Sequence, residues 1–150
     1  MTPRRGDAEI GRIRDASRRL VRELGFLRPT LAGTDLPPSA VHALVEIGGR
    51  GAMTATELCE VLLLEKSSVS RMLRKLVEAG ELREGASEQD GRAKLLSLTP
   101  RGRATLARID AFARNQVAAA LARMRPQARG GLADSLAAYA GALAASRADG

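Results

Sequence analysis

Between Met53 and Gly102 a short helix, a tight turn, a second basic helix and a charged hairpin follow one another with almost no spare residues. Few folds accommodate that order. Thr54 and Glu57 form a Thr-x-x-Glu capping box, which predicts a helix from Ala55 to about Leu63. A turn at Leu64–Glu65 leads into a second helix over Lys66–Ala79, stopped by Gly80 at the left-handed position that commonly ends helices. Glu81–Gly85 and Ala93–Leu98 then read as two strands, joined by a polar tip that contains Asp90, Gly91 and Arg92. A helix-turn-helix running directly into a basic hairpin is the outline of a winged helix, a shape suited to reading DNA.

The second helix divides cleanly into two faces. Val69, Leu73 and Leu76 recur at helical spacing, and Met72 and Val77 widen that stripe, which can pack on the first helix. Ser67, Ser70, Arg71 and Arg74 fall at i, i+3, i+4 and i+7 and share the opposite face. Guanidinium groups pair with guanine edges or phosphates, while hydroxyls and helix N-terminal amides suit phosphate oxygens. A basic helix in isolation is more often a solvated face. The hairpin immediately after it favours DNA. Lys66, Lys75, Arg83, Lys94 and Arg101 are the expected phosphate contacts.

Leu98, Thr99 and Gly102 after the hairpin, Asp90-Gly91-Arg92 in its tip, and the Lys66–Arg71 run resemble the MarR family of bacterial transcriptional regulators. The resemblance carries motif support from about Leu36 through Arg103. It implies that Arg92 enters the minor groove, that Asp90 holds the tip in shape, and that Ser67, Ser70, Arg71 and Arg74 face the major groove. It also implies a homodimer on a pseudo-palindromic double-stranded operator, released by a small aromatic or anionic effector. Three departures stand out: Leu63-Leu64 where a turn glycine is common, Glu65 where a Ser or Asp cap is common, and Gly85 in place of a wing arginine. Glu65 favours the helix N-terminus through the dipole but repels a nearby phosphate. A lighter phosphate footprint is expected. The Leu36–His42 run is also similar to the regulator half of proteins that fuse a MarR-like module to an acetyltransferase; with the chain given ending at Gly150, that likeness is expected to be ancestry and not activity.

A chain of 150 residues suits one domain with an adequate core. Hydrophobic residues make up 45% of it but aromatic residues only 2%, so the core must come from Leu, Ala, Val and Ile. The net charge is +7, and every basic residue except Lys66, Lys75 and Lys94 is arginine. That balance points to a polyanion. RNA readers usually offer aromatic stacking platforms, and Phe26, Phe112 and Tyr139 are too few and scattered. Double-stranded DNA is the expected partner, and an adaptor binding an acidic protein is the alternative from another class. No stretch approaches the ~20 apolar residues of a membrane span. The N-terminus lacks the apolar run of a signal peptide, so a cytoplasmic protein is expected. The single Cys59 cannot form an internal disulfide, which fits a reducing compartment, and packing is its expected role.

Outside the centre the chain reads as helical. Ile10, Ile13, Ser17, Leu20, Leu24 and Leu27 form a strip suited to pairing with another helix, and the loop Thr30–Asp35 ends that segment. Pro37 and Pro38 open a helix over roughly Pro38–Ile47, closed by Gly48-Gly49-Arg50-Gly51. Thr99-Pro100 starts another helix, to about Arg125, with Leu106, Ile109, Phe112 or Ala113, Val117, Ala120 and Met124 along one side. Pro126 and Gly130-Gly131 interrupt it before a last helix from Leu132 to about Ser146. The expected fold is therefore mostly α: one domain, a winged helix-turn-helix over about 36–99 with a small β-hairpin wing. N- and C-terminal dimerisation helices, about 5–30 and 100–147, flank it. A monomer with those helices folded over the winged region is the alternative.

An enzyme is not expected. His42 is the only histidine, and a zinc site needs three or four ligands. Glu57 and Glu60 lie three apart, but capping already accounts for Glu57. No nucleophile–base set can be assembled, and the Gly48–Gly51 run lacks the lysine of a phosphate loop. No cofactor is expected. Phe26, Leu27, His42 and Phe112 are the candidate residues for an effector pocket, although core packing is the commoner role for each.

Overall fold

The computed structural model describes residues 5–86 and 93–150. The hairpin tip with Asp90, Gly91 and Arg92 lies outside the described residues, and with it the expected minor-groove contact. Along the chain come α1 (Arg5–Glu23), α2 (Pro38–Arg50), β1 (Met53–Thr54), α3 (Ala55–Leu62), α4 (Lys66–Glu78), β2 (Leu82–Ala86), β3 (Lys94–Leu98), α5 (Pro100–Arg123), α6 (Pro126–Arg129) and α7 (Leu132–Asp149). By its internal contacts the chain falls into two compact units, Met1–Phe112 and Ala113–Gly150.

The first unit is organised around α2. Ala40, Val41, Ala43, Leu44 and Ile47 from that helix meet Met53, Leu58 of α3, Val69, Leu73 and Leu76 of α4, Leu82, Leu96 and Leu98 of the hairpin, and Ile109 of α5. The core is aliphatic throughout, as the scarcity of aromatic residues requires. Leu44, Leu58, Leu76, Leu82 and Val69 are fully enclosed, and each contributes about 1.5–3 kcal/mol through burial. Cys59 is half-buried and packs against the same cluster.

The capping box forms at the start of α3. The Glu57 N–H donates to Thr54 Oγ1 at 3.2 Å, and the Thr54 N–H donates to Glu57 Oε1 at 3.2 Å. Thr54 also ends β1, a strand the sequence pattern did not reveal because two residues carry no period. β1 pairs with β3 through Met53–Leu96 and Thr54–Leu95. The sheet is therefore three-stranded and antiparallel, in the order β1-β3-β2. Both hairpin strands begin one residue later than expected. Glu81 belongs instead to the turn closing α4, where Gly80 adopts φ +76° and the Glu81 N–H donates to the Leu76 carbonyl at 2.9 Å.

Several helix ends correct the sequence reading. α1 stops at Glu23, because Gly25 takes φ +86° and the N–H groups of Gly25 and Phe26 close on the carbonyls of Arg22 and Val21. Leu24 and Leu27 lie beyond it. α2 runs through Gly48 and Gly49 to Arg50, so only Gly51, at φ +90°, lies past its end. Leu106 passes close over Gly48 within the helix: a Cβ there would lie 2.2 Å from Leu106 Cδ2, so a larger residue requires that leucine to turn aside. The interruption at Pro126 is itself a short helix, α6, and α7 extends to Asp149.

In the second unit, Arg129 Nη1 donates to the Leu121 carbonyl at 3.5 Å, and Leu121, Met124 and Leu132 are half-buried. No residue of α7 is buried. No helix among the described residues is long and apolar enough to cross a membrane.

Candidate nucleic-acid interface

The turn between α3 and α4 forms without glycine. Leu63 adopts the left-handed conformation, φ 56° and ψ 42°, and the Leu64 N–H donates to the Cys59 carbonyl at 3.2 Å. Glu65 caps α4 in an extended conformation with no side-chain capping bond. Its carbonyl accepts the Val69 N–H at 3.0 Å, while its side chain acts on the helix through its charge near the N-terminus.

From there α4 presents its polar face outward. Val69, Leu73 and Leu76 are buried, while Lys66, Ser67, Arg71, Arg74 and Lys75 are exposed and Ser70 is half-buried. The face has two flanks. Ser70 and Arg74 line a groove of about 400 Å³ together with Thr54, Thr56 and the hairpin residues Glu84 and Lys94. Ser68, Arg71 and Lys75 line a cleft of about 650 Å³ against Asp35–Pro37 and Ser39 at the start of α2. Thr56 and Ser68 were not anticipated from the sequence. Thr56 stands in the first turn of α3, and a hydroxyl two residues after the capping Thr54 is the only signal it leaves.

The cations separate into two groups. Among the described residues, Lys66, Arg71, Arg74, Lys75 and Arg83 have no carboxylate partner. They are available to an external anion. Lys94 Nζ instead lies 3.2 Å from Glu84 Oε2 across the hairpin. Arg101 Nε lies 3.4 Å from Oε1 of Glu81, a residue only 5% exposed. The exposed Glu84–Lys94 pair contributes little to stability and can open for a phosphate.

The base of the hairpin is tied to α5 by the Leu98-Thr99-x-x-Gly102 run. Thr99 Oγ1 donates to the Gly80 carbonyl and accepts the Gly102 N–H at 3.0 Å. A Cβ at Gly102 would lie 2.1 Å from the Glu81 carbonyl oxygen. Glycine is needed there because α5 meets the α4–β2 turn backbone to backbone.

Of the residues expected to form an effector pocket, Phe26 and His42 come together, with ring centroids 5.1 Å apart and planes tilted by 58°. Phe112 is 43% exposed and Leu27 is 73% exposed. Phe112 lies beside Gly33, whose Cβ position is 3.6 Å from its Cδ2. None of the four lines either of the two clefts along α4. Among the described residues no group of three or more His, Cys, Asp or Glu side chains could hold a metal ion.

Residues 34–93 match the profile of the MarR family. A probable transcriptional regulator from Pseudomonas aeruginosa is 30% identical, over 90% of this chain and 99% of its own, with a TM-score of 0.68. FabT of Streptococcus pneumoniae, solved in complex with DNA, shares the fold at a TM-score of 0.76 and 22% identity, over 89% of this chain and 96% of its own. BpsR of Bordetella bronchiseptica, whose DNA binding is regulated by 6-hydroxynicotinic acid, does so at 0.69 and 19%, over 88% and 98%. No curated protein matches. The winged helix, the family profile across most of it, and a relative at 30% identity matched over nearly its whole length together place the chain in the MarR family of transcriptional regulators.

Proposed function

We propose that the protein is a sequence-specific repressor that binds a pseudo-palindromic operator as a homodimer and is released by a small aromatic or anionic effector. The observation that carries the proposal is the exposed face of α4, where Arg71, Arg74 and Lys75 stand without a carboxylate partner among the described residues. Unneutralised cations gathered on one exposed helix face make a positive patch that attracts a polyanion and releases its counterions on binding. In this reading Ser67, Ser70, Arg71 and Arg74 read base edges, and Lys66, Lys75, Arg83 and Lys94 hold phosphates.

Dimerisation is supported by apolar side chains left open to solvent: Ile10, Ile13 and Leu20 on α1, and Leu136, Tyr139 and Leu143 on α7. A second chain would cover them and set two recognition helices about one DNA turn apart. Release by an effector is supported by the half-buried Phe26–His42 pair and by the regulation of BpsR by a small aromatic acid. Such a ligand acts by binding best to a conformer that no longer fits the half-site spacing.

The test is selection of tight binders from a random duplex pool at fixed salt, with affinities measured on the purified protein. The expected result is a two-fold motif with half-sites about 10–10.5 base pairs apart. Arg74→Ala should relax the preference at one position of that motif and cost about 1–3 kcal/mol of binding. Salt-sensitive background binding with no enriched motif would overturn the proposal in favour of an adaptor for an acidic protein.

A further inference from the structure

The turn that ends α4 encloses a charge that DNA reading does not use. Glu81 is 5% exposed, and its Oε2 has no hydrogen-bond partner among the described residues. Its Oε1 faces one cation, Arg101 Nε at 3.4 Å. Arg101 reaches it from the first turn of α5, and its stem passes over Gly80, whose Cβ position lies 3.8 Å from Arg101 Cδ. The same turn receives the Thr99 hydroxyl on the Gly80 carbonyl, and Gly102 packs against the Glu81 carbonyl. Three of four successive residues, Thr99, Arg101 and Gly102, therefore grip one turn. Glu81 also precedes Leu82, which opens β2 opposite Leu98. Its backbone thus joins the turn that ends α4 to the first strand of the wing.

We infer that Arg101 is a positioning residue and not a phosphate contact: it neutralises the enclosed Glu81 and so holds the wing at a fixed angle to α4. A buried carboxylate deprived of the one cation that faces it among the described residues is strongly disfavoured, so the turn distorts when Arg101 is replaced. Removing both charges leaves an apolar contact that holds the turn as well. The consequence for DNA rests on the function proposed above; the pairing itself does not.

A double-substitution cycle in the full chain tests this: Arg101→Ala, Glu81→Leu, and the two combined, with Glu81→Gln as a shape-preserving second choice. Each variant is followed by urea unfolding and by titration with a mixed-sequence duplex across a salt series, well below its unfolding midpoint. Arg101→Ala should weaken duplex binding by the folded protein about tenfold, as for strongly coupled neighbours. The slope of log affinity against log salt should stay unchanged, and the added Glu81 substitution should restore affinity and stability together. A residue that neutralises a phosphate behaves otherwise: its removal lowers the slope by about one, and the Glu81 substitution rescues nothing. That result overturns the inference. So do additive unfolding energies, and so does reduced stability with unaltered affinity, which marks a pair that stabilises without positioning. A wild-type chain that binds no duplex overturns the proposed function, and the unfolding cycle then decides the Glu81–Arg101 pairing separately.

Discussion

Leu63 holds a backbone conformation, φ 56° and ψ 42°, that costs an L-residue about 1–2 kcal/mol. The residue is 59% exposed, so little packing offsets the strain. Leu63→Gly should therefore raise stability in urea unfolding by about 0.5–1 kcal/mol, glycine's greater freedom in the unfolded chain cancelling part of the gain. A fall in stability would mean that the Leu63 side chain packs against something the turn depends on. The departure from glycine was visible in the sequence; that the turn closes around a leucine was not. The same holds for the Leu98-Thr99-x-x-Gly102 run. It is recognisable as a motif, yet its reason lies in a backbone approach to Glu81, far back along the chain, that no local pattern encodes.

Among the elements, α4 was the most legible, since Val69, Leu73 and Leu76 mark its buried stripe by spacing alone and all three are enclosed. The division of its outer face was not legible. Which residues look toward the hairpin and which toward the start of α2 depends on how three elements pack, so Arg74 and Lys75 fall on opposite flanks although adjacent in sequence. In the proposed function these two neighbours have different tasks, Arg74 at base edges and Lys75 at a phosphate. Lys75→Ala should weaken binding to all duplex sequences alike and flatten the salt dependence by about one unit of slope, the share of a single neutralised phosphate. Weakening confined to one sequence would assign Lys75 to base reading. Helix ends are less legible than helix bodies. The apolar spacing of α1 continues through Leu24 and Leu27, but Gly25 breaks the backbone first. The hairpin strands were found one residue early because Glu81 serves the preceding turn, and β1 is too short to carry a period.

At the scale of the whole molecule, the sequence resolved the winged region and left the surroundings of the outer helices open, because an apolar strip does not say what will cover it. α7 has no buried residue, and Leu136 and Leu143 are 44% and 52% exposed. Leu136→Glu combined with Leu143→Glu should convert a dimer to a monomer in sedimentation and lower operator affinity, since each chain then binds its half-site alone. A wild-type chain that sediments as a monomer at every concentration would remove the dimer from the proposed function. Within the first unit, the close passage of Leu106 over Gly48 bears on how this chain can diverge. An alanine at position 48 would require the half-buried Leu106 to turn its outer methyl aside, a change of rotamer and not of backbone. Alanine also favours a helix interior over glycine by about 1 kcal/mol. Exchange at position 48 therefore depends on the freedom of one leucine tip: where Leu106 can turn, the helix tightens, and where it cannot, glycine stays.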